Sequence, residues 1–405
     1  MKNKIYLAAF FMLLGFSCAY AQGATVKPDT IPFQYQNNMI IVKAEVNGKP
    51  RNFFFDTGAP TLISKELQQE LNVELGAGRI VTDASSKNIE MSGVVLPSLK
   101  IGGLKLNDVS VTVFDMRSSI PQLACMDIEG FLGVDVFKQK VLQIDLQNKR
   151  LIVSTSSAEL KVNELFVSKM TLLKVQNSPL VEVKFGKVFV ENALFDTGMT
   201  GDLYSIANQT YKYVNQSSSL NEYIVARGYG GVSKVASGTE TESEKIKLKF
   251  DELSIGKAII KNPVTNTGNH PYSLLGVKLL KYGKVTLDFT HERFYFEPLA
   301  QNNVALTEKI AGFELKIEDS KFLVGIVWKN SPAEKAGLKT GYKIIEYGSK
   351  NVENLSQEDM CKVLLGDAKD EPVKEKKALK LKFIDDKGEV RSLALPMVDI
   401  TSLKL

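Results

Sequence analysis

Read from its sequence, the chain is mainly β: two tandem copies of one small barrel, followed by a third domain of mixed α and β structure. Three features carry that expectation. Asp-Thr-Gly occurs twice, as Asp56-Thr57-Gly58 and Asp196-Thr197-Gly198, and each copy closes a short apolar run, Phe53-Phe54-Phe55 or Ala193-Leu194-Phe195. That is the pattern of a buried strand running into a turn that needs glycine. An apolar-apolar-glycine element follows each copy at nearly equal distance, Phe131-Leu132-Gly133 at 77 residues (133 − 56) and Leu274-Leu275-Gly276 at 80 (276 − 196). From about Ile310 a different pattern begins that belongs to neither copy.

After a polar lead containing Pro28 and Pro32, residues 40–46 read as an apolar-rich strand, and Asn47-Gly48 supplies a hairpin turn suited to positive φ. The return strand ends at Asp56. Ser64 is placed to cap a short helix with Leu67 and Leu71 on one face. Residues 79–113 go back to short strands with glycine-rich turns, including Gly102-Gly103, as in a small barrel. Twelve residues after each Leu-Gly glycine stands an Asp on a strand, Asp145 or Asp288, and five residues later an arginine, Arg150 or Arg293. This is an internal duplication.

The copies differ in the middle. Leu99-Lys100-Ile101-Gly102 corresponds to Leu253-Ser254-Ile255-Gly256, ending 46 residues (102 − 56) and 60 residues (256 − 196) after the respective Asp. The second copy, which begins near Leu180, thus carries about 14 extra residues where a covering hairpin would sit. The glycine-rich stretch 223–238, with Tyr229 as the flap candidate, is either that cover or an ordinary hairpin. In the last segment, Ser356-Gln357-Glu358-Asp359 has capping-box form before a helix with Met360, Val363 and Leu364.

A length of 405 residues and 44% apolar content suit two or three globular domains, not a disordered chain. The net charge of +5 is small against 51 basic and 46 acidic residues and gives no reason to expect nucleic acid. Lys2, Lys4, the apolar run 5–16 and Ala19-Tyr20-Ala21 read as a secretory signal peptide over residues 1–21. The rival is a lipid anchor through Cys18, for which Gly15-Phe16-Ser17 is a poor match; both place the protein outside the cytoplasm, periplasmic or secreted. No later run is apolar for long enough to span a bilayer. Cys125 and Cys361 read as two separate buried thiols. His270 and His291 are too few for a zinc site, and no metal or cofactor is expected.

The paired Asp-Thr-Gly and Leu-Gly elements resemble the retropepsin-like aspartyl protease family, fused in tandem as in the two-lobed pepsin-like enzymes. Residues 307–397 resemble a bacterial PDZ domain: Gly312-Phe313-Glu314-Leu315 falls at the peptide-carboxylate loop, and residues 331–341 match the Pro-Ala-x-x-Ala-Gly-Leu-x-x-Gly signature. The expected organisation is then a signal peptide (1–21), two retropepsin-like repeats (33–156 and 165–298) and a PDZ-like α+β domain (307–398). The resemblance implies an aspartic endopeptidase in which Asp56 and Asp196 share one proton, one serving as base toward water and the other as acid. It also implies that Thr57 and Thr197 hydrogen-bond across the interface, that Gly58 and Gly198 allow close approach, and that Leu132, Gly133, Leu275 and Gly276 pack behind the turns. A peptide or protein would be substrate, and a second peptide would add as a strand to the PDZ-like domain. The duplication favours a monomer.

Other readings remain. The two Asps are also common turn residues, and Gly312-Phe313 also suits a plain strand entry. Met199 stands where the first copy has Ala59; by crowding the floor it would leave a peptide-binding scaffold with a silent pair. Two chains pairing through their first barrels is a further arrangement.

Overall fold

Asparagine-containing turns start the first lobe. The computed structural model describes residues 27–82, 87–174, 176–217, 220–235, 238–299, 309–365 and 377–403; the expected signal peptide and Cys18 lie outside the described residues. The first lobe runs β1 (Asp29–Gln36), β2 (Met39–Val46), β3 (Lys49–Phe55), β4 (Leu62–Ser64), α1 (Lys65–Leu71), β5 (Gly78–Thr82), β6 (Asn88–Ile101) and β7 (Leu104–Phe114). Then come α2 (Met116–Ser119), α3 (Pro121–Cys125), β8 (Ile128–Leu132), β9 (Val141–Asp145) and β10 (Arg150–Ser154). Asn37-Asn38 and Asn47-Gly48 take positive φ between β1, β2 and β3, the conformation two-residue hairpins need. Ser64 caps α1, its Oγ accepting the Leu67 N–H at 3.1 Å.

β1 is a strand that the polar lead conceals. Its first four residues pair with β10 and its last four with β2, and Pro32 stands at the changeover, the kind of strand position that tolerates a residue without N–H.

The second lobe repeats the plan with β11 (Val167–Leu172), β12 (Pro179–Phe185), β13 (Phe189–Asp196), β14 (Tyr204–Ala207), α4 (Asn208–Ser217), β15 (Ile224–Gly230), β16 (Lys234–Val235), β17 (Gly238–Thr239) and β18 (Ser243–Lys249). It closes with β19 (Glu252–Ile255), β20 (Ala258–Lys261), β21 (Val264–Gly268), β22 (Leu274–Gly276), β23 (Gly283–Asp288) and β24 (Arg293–Pro298). β3 pairs in parallel with β8, and β13 with β22, so Phe55 lies beside Leu132 and Phe195 beside Leu275. The duplicated elements are therefore neighbours in space.

A sheet in the order β1-β10-β9-β23-β24-β11 joins the lobes. At its centre Gln143 of β9 donates to Thr286 of β23 at 3.0 Å. Asp145 and Asp288, marked by the duplication, each accept backbone N–H groups of the turn that follows, from Asn148 and from Thr290, both at 3.1 Å. One apolar core runs through both lobes and includes the fully buried rings of Phe55, Phe137, Phe195 and Phe294, each contributing about 2–3 kcal/mol by its burial.

The C-terminal part comprises β25 (Lys309–Ile310), β26 (Phe313–Glu318), β27 (Lys321–Trp328), α5 (Pro332–Lys335), β28 (Lys343–Tyr347), β29 (Lys350–Asn351), α6 (Gln357–Leu365), β30 (Ala378–Ile384), β31 (Val390–Pro396) and β32 (Val398–Asp399). It has a core of its own around Phe322, Val324, Ile344 and Phe383. Gly312 has φ +98°, and a Cβ there would fall 2.3 Å from Ser331, whose hydroxyl donates to the Gly312 carbonyl at 3.1 Å and caps α5. No helix among the described residues is long and apolar enough to cross a membrane.

One expectation is overturned. Cys125 and Cys361 are not separate thiols but a disulfide, with Cα atoms 5.2 Å apart across 236 residues of sequence. It forms because α6 docks on α3 of the first lobe, a contact that cysteine spacing does not encode.

Candidate active site

Each Asp-Thr-Gly turn is delivered by a buried strand end. Phe53, Phe54 and Phe55 are buried up to Asp56, as are Ala193, Leu194 and Phe195 before Asp196. The turns then interlock. The Thr57 N–H donates to the Thr197 hydroxyl and the Thr197 N–H to the Thr57 hydroxyl, both at 3.0 Å. Each hydroxyl donates onward across the interface, Thr57 to the Phe195 carbonyl at 2.5 Å and Thr197 to the Phe55 carbonyl at 2.8 Å. Both threonines are fully buried.

The glycines bring the carboxyl groups together. A Cβ on Gly58 would lie 2.6 Å from Asp196 Cγ, and one on Gly198 2.4 Å from Asp56 Oδ2, so any side chain there would displace the opposite carboxyl group. Each Asp accepts the N–H of its own glycine, at 2.9 Å for Gly58 and 2.8 Å for Gly198. Asp56 and Asp196 are also hydrogen-bonded to each other.

Burial pushes the Asp56 carboxyl well above the usual carboxylate range, and the adjacent charge and hydrogen bond of Asp196 push it further. Burial also raises Asp196, held back by the hydrogen bond from Asp56 and the N–H groups of Gly198 and Met199. Like charges in contact cannot readily both ionise, so the two carboxyls titrate as a pair and not as two independent groups.

The Leu-Gly elements sit behind the turns. A Cβ on Gly133 would fall 2.4 Å from the Ala59 carbonyl, and one on Gly276 2.6 Å from the Met199 methyl. Met199 is thus folded back onto Gly276. Asp135 is a residue the sequence reading missed. It accepts from Thr61 Oγ1 at 2.5 Å and from the Thr61 N–H at 3.1 Å, and Thr61 Oγ1 in turn accepts the Gly133 N–H at 3.1 Å. The available signal was Leu132-Gly133-Val134-Asp135 against Leu275-Gly276-Val277-Lys278. Gln176 adds a bond from the second lobe, donating to the Gly58 carbonyl at 2.7 Å.

Tyr229 is exposed on β15, and the outer edge of that strand pairs with β27 of the C-terminal part. The first lobe has a hairpin of its own, β5 with β6. Beside it a cavity of about 400 Å3 is lined by Leu75, Ile89, Met91, Val113 and Phe114. Phe313, Glu314 and Leu315 open β26 and Gly312 directly precedes it; Phe313 is buried and Glu314 accepts the Trp328 indole N–H at 3.2 Å.

Residues 42–136 match the family model described as aspartyl protease; the match includes Asp56, Thr57, Gly58, Leu132 and Gly133. Among solved structures, an aspartic proteinase from Irpex lacteus is similar with a TM-score of 0.42 and 11% identity, over 69% of this chain and 99% of that one. No curated protein matches the sequence.

Proposed function

We propose that the protein is an aspartic endopeptidase whose site is assembled within one chain, with Asp56 and Asp196 as the catalytic pair. The observation that carries this is the interlocked pair of Asp-Thr-Gly turns, whose close glycines bring the two carboxyl groups together where they can share one proton. In the state with Asp56 protonated, Asp196 takes a proton from water as it attacks the scissile carbonyl, while Asp56 donates to the carbonyl oxygen. The proton then held by Asp196 passes to the leaving nitrogen as the C–N bond breaks, and one hydroxyl of the hydrated carbonyl returns its proton to Asp56 as the new carboxyl group forms. The threonine bonds keep both groups fixed through these transfers.

The inter-lobe sheet supports a monomer, since both halves of the site come from one chain. The disulfide favours an oxidising compartment and so export, periplasmic or secreted. The PDZ-like reading has the C-terminal part take a peptide end near Gly312-Phe313-Glu314-Leu315 and recruit substrate. The first-lobe hairpin β5–β6, not only the stretch around Tyr229, is a candidate cover for the cleft.

The pH profile follows from the pair. At low pH both groups are protonated and no base remains; at high pH both are ionised and no acid remains. With both carboxyls raised, the bell lies above the ordinary carboxylate range. The test is cleavage of an unbiased peptide library from pH 3 to 8 by the wild type and by Asp56→Asn and Asp196→Asn, with and without pepstatin. The expected loss is about 1,000-fold or more for either variant. Proteolysis unchanged in both variants would sink the mechanism, and pepstatin-resistant cleavage that still needs both Asps would leave the pair standing in an altered cleft.

A further inference from the structure

The end of α6 is linked to the surroundings of both Asp-Thr-Gly turns, through a shared apolar cluster on one side and the Asn37-Asn38 turn on the other. Leu365 packs against a buried cluster that includes Phe54, Leu123 and Phe131 and takes in Ala59, the residue directly after Gly58. The Leu364 carbonyl accepts from Asn37 Nδ2 at 3.2 Å, and the neighbouring Asn38 donates from Nδ2 to the Thr200 carbonyl at 3.0 Å, two residues beyond Gly198. One turn earlier on α6, Cys361 is bonded to Cys125 of α3.

The same C-terminal domain grips the second lobe. Gly228, Tyr229 and Gly230 of β15 pair with Trp328, Val327 and Ile326 of β27, making one continuous sheet. The Trp328 ring lies 5.1 Å from the Lys247 ammonium, and Ile400 and Leu403 are buried against Ala226 and Ile326. A domain that only recruited substrate would need a single tether. This one is fastened to both lobes, covalently to the first.

We propose that the C-terminal domain supplies one wall of the substrate cleft through the end of α6, with the Cys125–Cys361 bridge as the clasp that holds the wall in place. Leu365, with the partly exposed Ala59, Phe114 and Ile120, makes that wall apolar, so the peptides it favours carry a large apolar side chain on that side. Leu365 belongs to the wall itself, whereas Cys361 is a positioning residue that acts through α3; the threonine bonds hold Asp56 and Asp196 independently of both. The inference rests on the protease reading for the cleft but not for the clasp.

Two readouts separate these. Hydrogen exchange is measured on the full chain, wild type against Cys125→Ser/Cys361→Ser and against Leu365→Ala, which leaves the bridge intact. Amides of residues 116–125 and 357–365 should exchange at least tenfold faster in both variants, with those of β9 and β23 unchanged. Binding is read by fluorescence anisotropy in an Asp56→Asn background, where cleavage does not interfere, with a fluorescein-labelled peptide centred on Leu-Phe and a counterpart centred on Gly-Gly. Loss of the bridge should weaken the Leu-Phe peptide at least fivefold and the Gly-Gly peptide less than twofold. In the active enzyme the same change should raise KM with kcat and the pH profile unmoved. Unaltered exchange at residues 116–125 overturns the clasp; faster exchange with unaltered discrimination between the two peptides overturns the wall. If the wild type cleaves nothing, the protease reading fails while exchange and binding still decide the inference.

Discussion

The two lobes present the same turn to the interface and support it by different means. In the first, a partly buried carboxyl, Asp135, holds Thr61, and Thr61 holds the Gly133 N–H. In the second, the corresponding position is Lys278, which donates to the Gly201 carbonyl at the surface. There the Gly276 N–H goes to the Leu203 carbonyl at 2.9 Å, and Met199 fills the space over Gly276. What the lobes share are the crossed threonine bonds and the close glycines, which the proposed proton sharing requires. What differs is the scaffold behind them, where a side-chain network and a backbone bond with a packed methionine serve the same end.

The largest effect that would break this equivalence concerns the threonines. Thr57→Val and Thr197→Val each leave a buried N–H and a buried carbonyl without a partner, at a cost of about 4 kcal/mol. Urea unfolding should give nearly equal losses in the two lobes, largely restored by serine; a loss confined to one lobe would show that the grip is one-sided.

A second prediction sharpens the difference. His270, in the second lobe, receives the Ser205 hydroxyl at Nε2 and donates from Nδ1 to the Tyr272 carbonyl, both at 2.7 Å. Burial lowers its pKa from 6.5 to about 4. A base whose folded pKa is depressed stabilises the fold above its unfolded pKa, and that stability is lost as pH falls from 6.5 through 4. The loss approaches about 3 kcal/mol. Urea midpoints at pH 7, 5 and 4 should fall less steeply in His270→Gln; parallel slopes would remove the histidine from the account.

Smaller effects follow. Asp135→Ala should cost about 2 kcal/mol, because it strands the Thr61 groups and loosens Gly133, whereas Lys278→Ala should cost less than about 0.5 kcal/mol. Equal costs would mean that the side-chain network adds nothing beyond the backbone. The last effect has the opposite sign. Asp56 has a raised folded pKa, so its contribution is favourable at low pH and is lost as pH rises through that value. Asp56→Asn should therefore raise the melting temperature at pH 7 relative to wild type, with the gain shrinking toward pH 3.

Much of the site was legible because it depends on residues that only one geometry explains. Gly58, Gly198, Gly133 and Gly276 each stand where a Cβ would strike the opposing turn or the chain behind it, and strand ends at Phe55 and Phe195 show as apolar runs. What escaped reading depends on long-range docking. The Cys125–Cys361 bridge needs α6 to cross onto α3, and the pairing of β15 with β27 turns a glycine-rich stretch that reads as a cover or an ordinary hairpin into the seam between two parts of the molecule. β1 escaped for a local reason: Pro32 and the polar residues around it mask the buried Ile31 and Phe33. Asp135 looked like any charge on a short turn, although its replacement by lysine in the second copy marked it.

The central claim is that two unequal lobes converge on one shared proton, and carbon-13 NMR titration of Asp carboxyl groups tests it most directly. The account predicts that Asp56 and Asp196 titrate as a coupled pair, both above the usual carboxylate range, and that Asp196→Asn changes the Asp56 curve. Two independent titrations near the ordinary Asp value, with the Asp56 curve unmoved by Asp196→Asn, would contradict it.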